Sequence, residues 1–175
     1  MFSIPGKIDH ISTARLDIAL GTGHMINFEQ WVPSDHKCII NVNLNDIVLY
    51  QGPVYKDLII SYDFLDIKDG LYNLKFELEE IDNGFVSSAG WASPMLHIQG
   101  IWIEGVDFSM IIGDLGKCSF VDYPDITVPS DYIGNIGTQS FEFTTPIYRW
   151  LLSHDNHITK RVKQLSNNYY PNIVL

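Results

Sequence analysis

Apolar and polar residues alternate along much of this chain, which is the pattern of β-strands with one buried face. Within residues 71–79, Tyr72, Leu74, Phe76 and Leu78 lie on one face of the predicted strand. Within residues 37–44, Cys38, Ile40, Val42 and Leu44 lie on one face, and Ile39 is the apolar exception on the other. The Asn45-Asp46 pair that follows predicts a tight hairpin turn, because both residue types tolerate positive φ. Both segments are therefore predicted to be strands, and a further strand is predicted to begin at Ile47.

Other strand candidates are short, and glycine, proline and Asn/Asp turns separate most of them. They are residues 16–20, 24–28, 58–64, 95–103, 108–112 and 140–144. Gly21-Thr22-Gly23 is predicted to form a hairpin turn between the first two. No ten-residue stretch shows helical periodicity, and the closest is the short segment 148–154. Many short strands without long helices favour a β-sandwich or a barrel.

The domain organisation follows from where the alternation begins and ends. We predict one β-sandwich domain over residues 15–152, with an N-terminal arm at 1–14 and a C-terminal tail at 153–175. Residues 113–138 are rich in glycine and proline and show little alternation, which predicts a long surface loop. Such a loop in a compact domain usually binds something or packs on a neighbour.

Composition and charge exclude several classes of protein. The 175 residues are 46% hydrophobic and carry a net charge of −10, which disfavours both disorder and nucleic-acid binding. No apolar run is long enough to span a membrane, and the first ten residues do not resemble a secretory signal. We therefore expect the protein to be synthesised in the host cytoplasm and to carry no signal peptide. Cys38 and Cys118 are expected to be reduced, buried thiols.

Signals for catalysis are weak, and we expect a non-enzymatic protein. The chain has no nucleophile elbow, and neither cysteine lies in an electropositive setting. Glu104 and Glu142 lie near aromatic residues in strand-like segments, and two facing carboxylates can cleave glycosidic bonds. Glu142, however, alternates with Phe141 and Phe143, which places it on the polar face. This pair is the basis of the third function below, a glycoside hydrolase, which has the least support in the sequence.

Three aspartates form the best candidate for a metal site. Asp63, Asp66 and Asp69 recur every third residue, and calcium prefers several oxygen ligands of this kind. The spacing is not that of a helix–loop–helix calcium site, and Lys68 lies inside the cluster. Ordinary solvated turn residues are the competing interpretation. No cofactor is predicted apart from calcium at these carboxylates.

Aromatic residues are the strongest signal for binding, because flat rings bury area at little entropic cost. The chain contains four Trp, nine Tyr and nine Phe. Trp91 lies in a Gly-Trp-Ala-Ser-Pro sequence that predicts a turn, where its ring would be exposed. Tyr123 and Tyr132 lie in the predicted loop and are the other binding candidates. Trp102 lies in an apolar run and is predicted to belong to the core.

Two stretches of the sequence resemble known families. Residues 35–45, which end in Asn-Val-Asn-Leu-Asn, and residues 69–78, Asp-Gly-Leu-Tyr-Asn-Leu-Lys-Phe-Glu-Leu, resemble the two-strand pattern of jelly-roll carbohydrate-binding modules. Residues 137–152, in which Phe-Glu-Phe is followed by Pro-Ile-Tyr-Arg-Trp, are similar to the endings of small virion proteins of tailed bacteriophages. The first resemblance implies a jelly roll and the second a location in the virion. Neither carries over a site residue.

The predicted fold is therefore all-β, an antiparallel β-sandwich of jelly-roll type, and three functions stay open. The first is a structural and interaction protein of a tailed-phage particle, as a baseplate, fibre or capsid-surface component that contacts itself or other virion proteins. The second is a carbohydrate-binding module with exposed aromatics and calcium. The third is a small β-sandwich glycoside hydrolase that uses Glu104 and Glu142.

Overall fold

The structure is a computed structural model that describes residues 14–154 with short gaps. The gaps are residues 28, 65–69, 83–84, 88–89, 110–111, 123, 126, 129 and 146. The predicted N-terminal arm, apart from Ala14, and the predicted tail, apart from Ser153 and His154, lie outside the described residues.

The described residues form mostly strands, as the alternation predicts. The strands are β1 (Ala14–Ile26), β2 (Gln30–Pro33), β3 (Cys38–Leu44), β4 (Ile47–Val54), β5 (Asp57–Phe64), β6 (Gly70–Ile81), β7 (Phe85–Ser87), β8 (Gly90–Ile103), β9 (Val106–Asp107), β10 (Lys117–Phe120), β11 (Thr127–Val128), β12 (Tyr132–Ile133) and β13 (Gly137–Thr145). The helices are α1 (Ile112–Leu115) and α2 (Ile147–Ser153); the second coincides with the segment that came nearest to helical periodicity, although no helix was predicted there. No described helix has the length and apolarity that a membrane crossing requires.

The strands form two antiparallel sheets. Sheet A has the order β12-β8-β1-β2; β5 also pairs with β1, and β7 and β9 also pair with β8. Sheet B has the order β11-β10-β13-β6-β3-β4. This arrangement confirms an all-β fold of the sandwich type. The jelly-roll connectivity of the strands stays a prediction.

The core lies between the two sheets and consists of the alternating residues of both. Sheet A contributes Leu16, Ile18, Leu20, Leu96, Ile98, Ile101 and Ile103. Sheet B contributes Cys38, Ile40, Val42, Leu44, Leu74, Phe76, Leu78, Phe141 and Phe143. Both cysteines are free and buried, as predicted, and burial raises the pKa of Cys38 to about 12 and that of Cys118 to about 11. The thiols are therefore protonated and pack as small apolar groups.

A β-bulge keeps the long strand β8 in phase with the core. Leu96 and Ile98 point inward from even positions, whereas Ile101 and Ile103 point inward from odd ones. The register against β1 shifts between Ala19 and Leu20, so that Gln99 is an extra residue on β8. A bulge of this kind lets one strand change its inward parity without leaving the sheet.

The predicted hairpin at Asn45-Asp46 is present and is tied to a third strand. Asn45 adopts a φ of 49°, and Leu44 faces Ile47 across the turn. The Asn45 amide donates to the Asn73 carbonyl at 2.8 Å, and Asn45 Oδ1 accepts from the Asn73 amide at 2.8 Å. The turn therefore continues the ladder between β3 and β6.

Gly21-Thr22-Gly23 is not a turn, contrary to the prediction. These residues lie inside β1, where the backbone amide of Thr22 donates to the Lys56 carbonyl at 2.7 Å and its hydroxyl donates to the Ser34 carbonyl at 2.8 Å. Glycine serves here to admit neighbouring side chains, and not to reverse the chain.

Two further predicted segments differ from the structure. Residues 113–138 are not one loop, since they contain part of α1 and the short strands β10, β11 and β12. Of the predicted strand 108–112, Phe108 and Ser109 follow β9 outside any strand and Ile112 begins α1, while residues 110 and 111 lie outside the described residues. Short strands of two to four residues carry too few alternations to be recognised in the sequence.

Candidate functional site

The outer face of sheet A carries aromatic side chains over a floor of glycines. Directly opposed residues on neighbouring strands share a face, and the register places Tyr132, His97 and Gly21 in one row. Trp31 of β2 reaches this row from the other side of β1. We call this surface the aromatic face, which comprises Trp31, His97, Asp131 and Tyr132 with Gly21 and Gly23 beneath them.

The glycines of β1 allow neighbouring side chains to lie against the strand. The ring of Trp31 lies against Gly23, and the side-chain amide of Gln99, the bulge residue, lies against Gly21. A Cβ at Gly23 would collide with the Trp31 ring and with the Val32 carbonyl oxygen. Gly23 therefore has to lack a side chain for the Trp31 ring to sit where it does, whereas at Gly21 the neighbour is the flexible end of the Gln99 side chain.

Three rings of the aromatic face hold each other in fixed orientations. The rings of His97 and Tyr132 are stacked, with centroids 4.1 Å apart and planes inclined by 8°. Trp31 approaches His97 edge-on at 5.3 Å and Tyr132 at 5.3 Å with a tilt of 58°. Aromatic pairs in such geometries are favourable beyond their buried area. The cluster is thus organised before any ligand arrives.

Polar groups border the rings. His97 Nε2 lies 3.4 Å from Asp131 Oδ2, with the two side chains 20% and 32% exposed. Because a carboxylate only accepts hydrogen bonds, this contact places a proton on Nε2 of His97. Burial, with the Asp131 charge adding to it, raises the pKa of Tyr132, so its hydroxyl is a donor at neutral pH. The surface combines apolar rings with a carboxylate and a phenol.

Hydrogen bonds to the backbone hold Asp131 in place next to strand β8. Its carbonyl accepts a hydrogen bond from the Ile98 amide at 2.8 Å. Next to it, the Ser130 hydroxyl donates to the Tyr132 carbonyl at 2.9 Å and accepts from the Tyr132 amide at 3.0 Å. These bonds fix the short strand β12 against β8 although only two of its residues are paired.

The predicted binding residues fall partly on this surface. Tyr132 is a half-buried member of the aromatic face. Trp91 lies in β8 opposite Val86, and so in a strand and not in the predicted turn. The side chain of Trp91, and all of Tyr123, lie outside the described residues. Whether these two contribute to binding stays a prediction.

Trp31 and His97 were not identified as site residues from the sequence, and the prediction that Trp102 belongs to the core is wrong. Trp102 is half-buried on the outer side of β8, where its ring lies against Gly100, and it is not a core residue. Glycines two positions apart in a strand-like segment, as at Gly21 and Gly23, were the signal that a neighbouring ring covers the strand. The partner ring itself could not be identified without the register.

The predicted metal ligands lie mostly outside the described residues. Asp63 is exposed in β5, opposite Arg15 of β1, whose guanidinium also lies near the Asp63 charge. Asp66 and Asp69 fall in a gap of the description. Among the residues that the structure describes, no three His, Cys, Asp or Glu side chains group into a metal site. The calcium site stays a prediction.

Glu104 and Glu142 are engaged separately. Glu104 adopts a φ of 53° between β8 and β9, and its Oε2 accepts from the amide of Ile147, the first residue of α2, at 3.4 Å. Glu142 is exposed on β13, with Oε1 3.5 Å from Asn73 Nδ2. The described pocket that contains Glu142 does not contain Glu104. This arrangement does not support a pair of catalytic carboxylates.

A second polar group lies where β1 and the link between β2 and β3 meet at one end of the sandwich. The Ser34 hydroxyl bonds to Nδ1 of His24 and lies 3.2 Å from Nδ1 of His36. The two imidazole rings are 4.9 Å apart. Burial lowers the pKa of both histidines, and for His36 the neighbouring His24 lowers it further, while Asp82 opposes the shift in both. The histidines are therefore neutral at pH 7.

No protein-family model matches the chain, and comparisons with curated proteins and with solved structures also find no match.

Proposed function

We propose that this protein is a non-catalytic recognition module that binds a saccharide on its aromatic face. The observation that carries the proposal is the cluster of Trp31, His97 and Tyr132 on an outer sheet surface, in which the rings hold each other in fixed orientations and the Trp31 ring lies against Gly23. The apolar faces of sugar rings pack against aromatic rings, and sugar hydroxyls need nearby acceptors and donors. Asp131 and the Tyr132 hydroxyl supply both.

The charge of the protein favours a neutral ligand. The chain carries −10 overall, and Asp131 lies within the aromatic face. A sulfated or otherwise polyanionic glycan would be repelled by this charge, at long range and at the contact. The ligand class that the surface fits is therefore a neutral oligosaccharide.

Binding of neutral oligosaccharides tests the proposal. A panel such as cellohexaose and mannohexaose is titrated calorimetrically into the protein, with calcium and with chelator. Trp31→Ala is expected to weaken binding at least tenfold, about 1.4 kcal/mol. Tyr55→Ala, which removes an exposed aromatic outside the aromatic face, is the matched control and should bind normally. Absence of binding across the panel, or equal binding by Trp31→Ala, would contradict the proposal.

A second candidate is a homo-oligomeric structural protein of a phage particle, located in the virion. Strand β4 is the last strand of sheet B and contains no charged residue. Its side chains Ile47 and Val48 are exposed by 46% and 57%, respectively. An uncharged edge strand can pair with another strand, and two copies of β4 would pair about a two-fold axis. The resemblance of residues 137–152 to virion proteins supports the same role.

Light scattering after size exclusion tests this second candidate. We expect a dimer or a larger assembly, and Val48→Lys should shift it to the monomer because a charge at the edge opposes pairing. The control Tyr55→Lys leaves the edge strand intact. A monomer of about 20 kDa at high concentration, in line with the chain mass of 19.9 kDa, would rule the candidate out.

A further inference from the structure

A pocket of about 210 Å³ lies between α2 and the strands β10 and β13, away from the aromatic face. Its lining consists of Leu115, Lys117, Ser140, Glu142, Trp150 and His154. Lys117 is directly opposite Ser140 in the ladder, and Glu142 is two residues further along the same face of β13. The strands β10 and β13 and the helix α2 thus bring two opposite charges, a hydroxyl and an indole into one pocket.

The aromatic wall of this pocket is rigid. Trp150 is only 6% exposed and packs edge-on against Phe108 and Phe141 of the core, with ring centroids 5.5 Å and 5.7 Å away. His154 stacks on Trp150 at 4.1 Å. Its Nδ1 lies 2.9 Å from the Trp150 carbonyl oxygen, which only accepts hydrogen bonds, so Nδ1 carries a proton. The other ring nitrogen, Nε2, is then an acceptor when the ring is neutral.

The two charged side chains of the pocket do not pair with each other. No ion pair joins Lys117 to Glu142, and within the described part of the chain the Lys117 ammonium and the Ser140 hydroxyl take part in no hydrogen bond. Glu142 makes one long contact, 3.5 Å from Asn73 Nδ2. Diagonal positions in a ladder are about 7–8 Å apart, so a small ligand can bridge the two charges.

We propose that this pocket binds a free apolar α-amino acid. The carboxylate of the ligand pairs with Lys117 and accepts from Ser140, its ammonium pairs with Glu142, and its apolar side chain packs against Trp150 and Leu115. A simple anion would leave Glu142 unpaired, and a simple cation would leave Lys117 unpaired, so a zwitterion is favoured over either. The volume is below the roughly 300–1,000 Å³ of pockets for drug-sized ligands, which favours an amino acid over a peptide or an oligosaccharide.

Titration of the full chain with L-leucine, followed by amide NMR shifts, tests this site. Two analogues each keep one charge: 4-methylpentanoate lacks the ammonium and isopentylamine lacks the carboxylate. We expect each analogue to bind at least tenfold more weakly than L-leucine, because it leaves one pocket charge unpaired. Shifts are expected at the residues that line the pocket.

Charge-removing variants identify the groups that bind. Lys117→Met and Glu142→Gln are each expected to weaken L-leucine binding at least tenfold. Lys75→Met is the matched control, since Lys75 lies on the other side of Ser140 and pairs with Glu77 outside the pocket. The proposal is overturned by absence of L-leucine binding, by an analogue that binds as tightly as L-leucine, or by an equal effect of Lys75→Met. None of these results depends on saccharide binding.

Discussion

The two sheets bury similar inner faces but present different outer faces. On sheet A the outward positions of β1 include Ala19, Gly21 and Gly23; the Gln99 side chain lies against Gly21 and the Trp31 ring against Gly23. On sheet B the outward positions of β3, β6 and β13 are mostly polar side chains. They include Asn41, Asn43, Asn73, Lys75, Glu77 and Glu142.

This difference shows how one alternation rule produces two kinds of surface. The inward residues of both sheets obey the same requirement, which is to fill a common apolar core. The outward residues are free of that requirement, so Gly23 on sheet A admits the Trp31 ring, while sheet B carries polar side chains. The first surface is a cluster of rings in fixed orientations, whereas the second presents separate polar and charged groups, some of which line the pocket beside α2.

The largest expected effect comes from filling the glycine floor. Gly23→Ala places a Cβ against the Trp31 ring and the Val32 carbonyl oxygen, and overpacking of this kind costs about 3 kcal/mol of unfolding free energy. Urea denaturation measures the loss. The control Asn43→Ala, on the outer face of sheet B, should change stability by less than about 0.5 kcal/mol. Equal effects of the two changes would remove the distinction between the faces.

A smaller effect is expected from removing one ring of the aromatic face. Tyr132→Ala loses the stacking with His97 and should lower the unfolding free energy by about 1 kcal/mol. Tyr132→Phe keeps the ring and should retain most of that stability. Thermal unfolding of both variants checks this, and a phenylalanine variant as unstable as the alanine variant would show that stacking is not the stabilising contact.

Mild acid is expected to weaken the end of the sandwich at His24 and His36. Both pKa values are lower in the folded protein, so the neutral forms stabilise the fold above the ordinary pKa of about 6.5. This stability is lost as the pH falls below 6.5 towards the folded pKa values. Asp82 is the charged side chain that opposes the effect.

Stability measured between pH 7 and pH 5.5 checks the contribution of the histidines. The double variant His24→Gln/His36→Gln lacks both imidazoles, so its stability should change less over that interval than that of the unaltered protein. An identical slope in the two proteins would assign the acid sensitivity to other groups.

The smallest effect is expected on the polar face. Lys75 and Glu77 form an ion pair at 2.7 Å, but both side chains are substantially exposed. Exposed pairs contribute little, so Lys75→Met should change the unfolding free energy by less than about 0.5 kcal/mol. Chemical denaturation in low and high salt measures the change, and a loss comparable to that of Tyr132→Ala would contradict this ranking.

The strands with clean alternation were predictable because their signal is local. Residues 37–44 and 71–79 needed only their own sequence, and the Asn45-Asp46 turn needed only two residues that tolerate positive φ. The candidate site was harder to predict: Tyr132 was identified as an aromatic in a presumed loop, whereas Trp31 and His97 were not. Membership of the aromatic face depends on which strands become neighbours, and that information is spread over residues 21–132.

The errors share one physical cause. Gly21-Thr22-Gly23 has the composition of a turn, yet it lies within a strand because Trp31 and Gln99 occupy the space above it. Trp102 has apolar neighbours in sequence, yet it faces outward because the bulge at Gln99 changes the parity of β8. In both cases contacts with distant residues overrode a local tendency.

The order of apolar and polar residues alone determined that this chain folds into β-strands with one buried, apolar face. It also determined most of the buried positions. Period two reports burial directly, since successive side chains of a strand point in opposite directions. Only the tertiary structure decided which outward side chains meet: three rings on one sheet, one of them against Gly23, and a lysine and a glutamate beside an indole on the other. Those side-chain contacts depend on strand register and on bulges, which are set by pairing between segments far apart in the chain.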